Sequence, residues 1–226
     1  MLTFECQTRD GAEARGAVIR ELVIAGWAGR DEAGIRHHIE ELAAIGVPPP
    51  SSVPVFYRVA AANLTQADIL VVLGPDSSGE VEPVIVSLDD GLWLGLGSDH
   101  TDRKAETVGI ALSKQLCGKP IGSTLWRLDE VEGHWDSLVM RAHAVIAGER
   151  VLYQEGHLSA LRTPSDLLAR RPGGPALPPG WAMFGGTLGA IGGIRPGTRF
   201  EMEIEDPVLG RVMRHAYDIV ELPVVA

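Results

Sequence analysis

The sequence predicts a mainly β fold of the α+β class, a sandwich or rolled sheet with a few short helices. Three observations lead to this prediction. Short apolar or alternating segments, separated by turn residues, recur along the 226-residue chain. Only the segment from Asp31 to Ile45 has the apolar spacing of a long amphipathic helix. Hydrophobic residues make up 45% of the chain, which is typical of a globular protein that buries a core.

The predicted strands are segments in which apolar side chains alternate, or run together, between turn residues. In chain order they cover residues 2–7, 17–28, 53–60, 69–73, 80–88, 92–96, 136–146, 150–154, 182–188, 199–205 and 211–220. Asp89-Asp90-Gly91 predicts a hairpin turn between the fifth and sixth of these strands.

The predicted helices are few. The segment from Asp31 to Ile45 is the clearest, and it ends at Gly46 and the three prolines that follow, because proline cannot continue a helix. Shorter helices are predicted within residues 103–116 and over residues 164–170, where Pro164 suits the first turn.

Charge and composition argue against several classes of function. Acidic residues outnumber basic residues by 30 to 20, which disfavours binding to nucleic acid or to an anionic membrane. The cysteines Cys6 and Cys117 provide neither a disulfide framework nor a cysteine-rich zinc site. A signal-peptide pattern and a run of ~20 apolar residues are both lacking, so we expect a cytoplasmic protein. The sequence also contains no Gly-x-Ser-x-Gly elbow, phosphate-binding loop or dinucleotide fingerprint.

Three carboxylates are predicted to converge at the open end of the hairpin. Glu80 and Glu82 are separated by one residue at the start of a strand, so their side chains project from the same side. Asp99 follows the next strand on a polar loop, where it can complete the set. Three convergent oxygen ligands suit a hard divalent cation such as Mg2+ and leave positions open for water and substrate. The sequence therefore predicts a metal-dependent enzyme.

His38 and Glu41 are neighbours on the predicted long helix, at the edge of its apolar face. Such a pair suits a general base, because the carboxylate fixes the imidazole tautomer and raises its basicity. The same pattern also fits two surface residues of an amphipathic helix.

The order of these motifs resembles that of the fumarylacetoacetate hydrolase superfamily, which includes acylpyruvate hydrolases, oxaloacetate decarboxylases and related hydratases and isomerases. The resemblance covers roughly residues 25 to 220. The matching segments are His38-Ile39-Glu40-Glu41-Leu42, Pro54-Val55-Phe56-Tyr57-Arg58, Glu80-Val81-Glu82, Ser98-Asp99-His100-Thr101-Asp102-Arg103-Lys104, Lys114, Gly185-Gly186-Thr187 and Arg195-Pro196-Gly197.

The chain also departs from the superfamily pattern. Arg58 replaces the usual lysine, Ser98 the asparagine and Lys104 the final aspartate. The interval from Glu82 to Asp99 is shorter than usual. These departures indicate a divergent branch that keeps the scaffold and the metal site while its substrate differs.

The resemblance implies a fumarylacetoacetate-hydrolase-like fold, a rolled mixed β-sandwich with a few short helices, in a single domain over residues 1–226. Within it, residues 1–50 would supply the N-terminal strands and the helix with the base, and residues 51–226 the metal-binding core. A homodimer is also implied, because related enzymes associate through this domain.

The resemblance further implies roles for the individual site residues. The metal, Mg2+ or Mn2+, would chelate the carboxylate and keto oxygens of a small oxo-acid and stabilise the enolate that forms when a C–C bond is cleaved. The expected catalytic residues are His38, Glu41 and Lys114, the substrate-binding residues Arg58, Arg103 and Thr187, and the metal ligands Glu80, Glu82 and Asp99.

The expected reaction is hydrolysis of the acylpyruvate type or decarboxylation of an oxo-acid. Two alternatives remain open at this point. A hydratase or tautomerase would use the same metal without cleaving a C–C bond. A catalytically silent protein would bind a small carboxylate or a protein partner.

Overall fold

A computed structural model describes residues 1–44 and 49–225, and the side chains of all of these except residue 38 and residues 41–44. The described residues form many strands and few helices, as the sequence predicts. The strands are β1 (Leu2–Thr8), β2 (Gly11–Ala17), β3 (Glu21–Gly26), β4 (Val55–Val59), β5 (Leu64–Thr65), β6 (Ile69–Leu73), β7 (Ser77–Ser78), β8 (Val81–Leu88), β9 (Gly91–Ser98), β10 (Thr101–Asp102), β11 (Lys119–Pro120), β12 (Thr124–Arg127), β13 (Val139–Ile146), β14 (Glu149–His157), β15 (Trp181–Phe184), β16 (Arg199–Asp206) and β17 (Arg211–Leu222).

The helices are short, apart from the one predicted from its apolar spacing. They are α1 (Glu32–Ala44), α2 (Arg103–Glu106), α3 (Ile110–Leu116), α4 (Leu128–Val131) and α5 (Pro164–Arg170), with 3-10 turns at Ala61–Asn63, Glu132–Ser137 and Leu158–Ala160. The single helix expected within 103–116 is divided in two, because the chain is extended at Gly109, where φ is 176°. Among the described residues no helix is both long and apolar enough to cross a membrane.

Two mixed sheets form the body of the protein. The larger has the strand order β2-β1-β12-β9-β8-β15-β3-β4, and the smaller has the order β14-β13-β16-β17-β6. β8 and β9 form the predicted hairpin, with Glu82 opposite Gly97 and Val81 opposite Ser98. This hairpin lies at the centre of the larger sheet.

The core has two parts, which cover opposite faces of the larger sheet. Ile85 of β8 packs with Phe200 and other residues between the two sheets. Val84 of β8 packs with Phe184 on the opposite face. Successive side chains of a strand point to opposite faces, so both faces of β8 are buried, and Glu82 shares the face of Val84.

Candidate metal centre

The β8–β9 hairpin brings the three predicted metal ligands together. Glu80 immediately precedes β8, Glu82 lies within it, and Asp99 immediately follows β9. The Asp99 amide donates a hydrogen bond to the Glu80 carbonyl at 3.0 Å, which closes the open end of the hairpin. One carboxylate oxygen from each residue lies within 4.8 Å of the others. The strand alternation that predicts this convergence is therefore realised in the fold.

Three cationic side chains pair with two of these carboxylates, those of Glu80 and Asp99. Arg103 Nη2 donates to Glu80 Oε1 at 2.9 Å. Lys114 Nζ bonds to Asp99 Oδ2 and lies 3.8 Å from Glu80 Oε2. Lys119 Nζ lies 3.0 Å from Asp99 Oδ1. Burial acts to raise the pKa of Asp99, but the charges of the two lysines outweigh it and lower that pKa. Asp99 is therefore ionised at neutral pH.

Glu82 differs from its two neighbours in having no cation within 4 Å among the described side chains. It is 2% exposed. Its Oε2 accepts a hydrogen bond from the Gly186 amide at 2.8 Å. Burial, reinforced by the charge of Asp99, holds the pKa of Glu82 well above its usual range. A bound cation would remove this penalty, because it would favour the ionised form.

The donor set fits a divalent cation with oxygen ligands. Opposite ligands of an octahedral Mg2+ lie about 4.2 Å apart, given ligand distances of about 2.1 Å, and the three carboxylate oxygens lie within 4.8 Å of one another. Asp99 Oδ1 is buried and accepts no hydrogen bond of acceptable geometry from any described residue. Lys119, although near it, donates its hydrogen bond to the carbonyl of His100. Glu80, Glu82 and Asp99 can therefore hold Mg2+ or Mn2+.

Gln154 and Thr187 fix the backbone between the two glutamates. Gln154 Oε1 accepts from the Val81 amide at 3.0 Å, and the Thr187 hydroxyl donates to the Val81 carbonyl at 2.8 Å. Gln154 Nε2 also donates to the Thr187 hydroxyl at 2.7 Å. Thr187, predicted to bind substrate, is thus close to the centre, but its hydroxyl already makes two hydrogen bonds within the protein.

His100, which follows Asp99 in the chain, supports the centre through buried hydrogen bonds. It is fully buried, and its ring nitrogens lie 2.9 Å from Tyr217 Oη and 2.9 Å from Ser77 Oγ. The Tyr217 hydroxyl continues this chain to Ser98 Oγ at 2.9 Å. Burial, together with the charges of Lys119 and Arg103, lowers the pKa of His100 to about 3. The imidazole is therefore neutral and ties the loop that carries Asp99 to the smaller sheet.

The structure does not bring Arg58 to the carboxylates. Arg58 pairs with Glu21, and its guanidinium lies 4.9 Å from the centroid of the Trp181 ring. Tyr57 precedes it on β4 and points to the opposite face of the sheet. The Tyr57 ring centroid lies 5.8 Å from Lys114 Nζ. Tyr57, and not Arg58, is therefore the residue of this strand that faces the centre.

The predicted base lies outside what the structure describes. The backbone of α1 includes His38 and Glu41, but their side chains are not among the described ones. Their role as a catalytic pair therefore stays a prediction.

A cavity of about 500 Å3 adjoins the centre at the start of α3. Tyr57 lines it, and so does Glu106, whose carboxylate lies 3.1 Å from Arg103 Nη1. Most of the remaining lining is apolar and includes Trp27, Val108 and Ile110. A ligand that reached the carboxylates from this side would therefore pass an apolar wall with one acidic group.

Sequence reasoning missed three residues of the centre, Tyr57, Lys119 and Gln154. Tyr57 and Gln154 carry no signal of their own, because their positions depend on strand pairing. Lys119 does carry one. The chain contains only three lysines, at positions 104, 114 and 119, among 20 basic residues. Because lysine is rare in this chain and occurs only in the segment after Asp99, its clustering there indicates that lysines of this segment belong to the same site.

Comparisons with solved structures show the same fold in other proteins. A structure of Cg1458 with an inhibitor is similar with a TM-score of 0.62 and 15% identity, over 94% of this chain and 81% of that one. A hexagonal crystal form of 2-keto-3-deoxyarabinonate dehydratase is similar with a TM-score of 0.62 and 14% identity, over 95% and 78%. 2-Keto-3-deoxy-D-arabinonate dehydratase complexed with magnesium and 2,5-dioxopentanoate gives a TM-score of 0.60 and 15% identity, over 91% and 74%.

At such low identity these similarities concern the fold alone. They confirm the predicted class, a mainly β, fumarylacetoacetate-hydrolase-like fold of mixed sheets with few helices. No curated protein matches the sequence. Residues 25–217 match the family described as protein of unknown function, DUF2848. Because this match covers most of the chain, the protein belongs to the DUF2848 family.

Proposed function

We propose that this protein is a metal-dependent hydrolase or lyase that cleaves a C–C bond in a small oxo-acid, and that it forms a divergent branch of the fumarylacetoacetate hydrolase superfamily. One observation carries the proposal. Glu80, Glu82 and Asp99 converge at the buried end of a hairpin, with an oxygen of each within 4.8 Å of the others, beside a cavity large enough for a small acid. The fold similarity to a dehydratase complexed with magnesium and an oxo-acid supports it.

The three carboxylates would hold Mg2+ or Mn2+, and the cation would supply positive charge to the carboxylate and keto oxygens of the substrate. Arg103 orients Glu80 through its 2.9 Å hydrogen bond. Lys114 is 8% exposed and faces both Asp99 and the ring of Tyr57. Its ammonium adds positive charge where negative charge develops on the substrate. His38, held by Glu41, deprotonates the attacking water in the hydrolytic reaction.

The cavity indicates which part of the substrate lies away from the metal. Its wall is formed largely by apolar side chains such as Trp27, Val108 and Ile110. An oxo-acid with an apolar acyl group would bury that group there, whereas a polyhydroxylated chain would lose hydrogen bonds to water. This favours acylpyruvate-type substrates. A homodimer remains part of the proposal.

Dehydration of an oxo-acid is the second candidate. It is favoured by the fold shared with 2-keto-3-deoxy-D-arabinonate dehydratase, seen with magnesium and 2,5-dioxopentanoate. The reaction would use the same carboxylates and Lys114 but would lose water instead of cleaving a C–C bond.

Isothermal titration of Mg2+ and Mn2+ into metal-free protein tests the centre first. We expect Glu82→Gln to weaken binding by tenfold or more, because the buried carboxylate is one of three ligands. Glu149→Gln is the matched control, since Glu149 is exposed at the start of β14. The same proteins are then assayed, with metal, on an acylpyruvate, on oxaloacetate and on a 2-oxo-3-deoxy acid.

The outcomes separate the candidates. Pyruvate released from the acylpyruvate supports hydrolysis, and CO2 released from oxaloacetate supports decarboxylation. Turnover of the deoxy acid alone supports the dehydratase. Equal metal binding by both variants and the unaltered protein would refute the metal centre, and absence of turnover of all three substrates would favour a catalytically silent fold.

A further inference from the structure

Lys119 occupies a position that no catalytic role explains. It is 0% exposed, and its ammonium lies 3.0 Å from Asp99 Oδ1 while it donates a hydrogen bond to the carbonyl of His100. The other oxygen of Asp99 is bonded to Lys114. Two ammonium groups therefore bind the one carboxylate that completes the metal ligand set.

The cations of the centre offset most of its carboxylate charge before any metal binds. Four carboxylates, those of Glu80, Glu82, Asp99 and Glu106, face three cations. Each cation lies within 4 Å of a carboxylate oxygen: Arg103 and Lys114 with Glu80, and Lys114 and Lys119 with Asp99. Even with every one of these carboxylates ionised, a divalent cation would leave one uncompensated positive charge in a largely buried site, which is costly. An anion that enters with the metal removes that cost.

We infer that Lys119 makes divalent-metal binding at this centre depend on an anionic, chelating co-ligand. The inference rests on the proposed metal site and concerns what controls its occupancy. The favoured co-ligand is a small anion with two adjacent oxygen donors, such as oxalate or the 2-oxo-carboxylate end of an oxo-acid. Such an anion ligates the metal and also supplies the missing negative charge.

Lys119 contributes more than Lys114 to the dependence of metal binding on the anionic co-ligand. Its backbone is held in β11, where Lys119 pairs with Leu64 of β5. Its side chain has no exposed surface, whereas that of Lys114 is 8% exposed and approaches the ring of Tyr57. Lys114 can therefore turn towards a ligand at the cavity, while Lys119 remains against Asp99 and competes with the metal.

The test is isothermal titration of Mn2+ at neutral pH, with and without oxalate, corrected for Mn2+–oxalate association in solution. In the unaltered protein we expect oxalate to tighten Mn2+ binding at least tenfold. Lys119→Met keeps the length of the side chain and removes its charge. We expect this variant to bind Mn2+ alone at least tenfold more tightly, with a smaller effect of oxalate. Lys104→Met is the matched control, because Lys104 is exposed and outside these ion pairs.

A second measurement needs no variant. Oxamide, the neutral diamide of oxalic acid, offers similar donors without charge, so it should tighten Mn2+ binding far less than oxalate. The inference is wrong if oxamide acts as strongly as oxalate, or if Lys119→Met leaves Mn2+ affinity and the oxalate effect unchanged; either result leaves the metal centre intact. Absence of Mn2+ binding in every protein, with or without oxalate, would overturn the proposed function as well.

Discussion

At the scale of the residue, the alternation of side chains along a strand predicts part of the candidate site. The rest depends on contacts between segments that are distant in the sequence. Glu80 and Glu82 are found by counting along one strand, because side chains of a strand alternate between its faces. Thr187 was assigned to substrate through a motif, yet its hydroxyl donates to the Val81 carbonyl. That contact depends on the placement of a loop over 100 residues away in sequence. The sequence alone therefore predicts the convergence of the carboxylates better than the contacts that support them.

Thr187→Val should weaken both the fold and the metal centre. The change removes a hydrogen bond to Val81 and leaves Gln154 Nε2 without one of its acceptors. We expect the free energy of unfolding to fall by about 1–3 kcal/mol, as measured by urea denaturation. Because Val81 lies between the two glutamates, Mn2+ affinity should fall too. Thr198→Val is the control, since Thr198 is exposed. Equal losses in both variants would contradict the supporting role of Thr187.

At the scale of the element, local signals predict helices well and breaks within them poorly. Helix α1 begins within one residue of the predicted start, while its predicted end at Ile45 lies outside the described residues. Helix α5 agrees with its prediction at both ends, and at its start Thr163 accepts a hydrogen bond from the Asp166 amide. The break at Gly109 was not predicted, because one glycine is tolerated within a helix at modest cost. That break is important, since it places the start of α3 at the wall of the cavity.

Arg162 ties the start of α1 to α5. Its guanidinium is bonded to Glu32 of α1 at 2.9 Å and to Asp166 of α5 at 2.8 Å, and the residue is 5% exposed. This tie positions the helix on which the predicted base lies. No sequence pattern indicates it, because Arg162 and Glu32 are 130 residues apart in the chain.

Arg162→Met should loosen α1 while the fold persists. We expect a loss of about 1–2 kcal/mol in the free energy of unfolding and faster amide exchange over the backbone of Glu32–Ala44. Arg170→Met is the matched control, because Arg170 also bonds to Asp166 but makes no contact with Glu32 among the described ion pairs. Unchanged exchange in α1 after Arg162→Met would show that this ion pair does not hold the helix.

At the scale of the whole molecule, the class of fold was predictable but the order of its strands was not. Periodicity shows which face of a strand is buried, but it carries no information on which strand lies beside it. β1 pairs in parallel with β12, over 110 residues later, and β15 lies between β8 and β3. β2 and β12 were not predicted at all, since β2 is largely exposed and polar and β12 has four residues.

Burial also makes the stability of the folded molecule depend on pH through several histidines. It lowers the pKa values of His100, His143 and His215, that of His100 to about 3. Each of these imidazoles therefore takes up its proton at a lower pH in the folded protein than in the unfolded chain, where protonation occurs around pH 6.5. The unfolded state then binds more protons, so the stability they contribute is present above pH 6.5 and is lost as the pH falls through each folded pKa.

The free energy of unfolding should therefore decrease between pH 7 and pH 5, by up to about 1.4 kcal/mol per pH unit for each histidine. His215 is suited to test this, because its Nε2 is buried without a hydrogen-bond partner among the described residues. It also does not belong to the carboxylate cluster of the candidate metal centre. His215→Gln should make the decrease shallower, as measured by urea unfolding at several pH values. The exposed His157→Gln should leave it unchanged. Parallel pH profiles for all three proteins would contradict this account, because they would show that His215 binds protons equally in the folded and unfolded states.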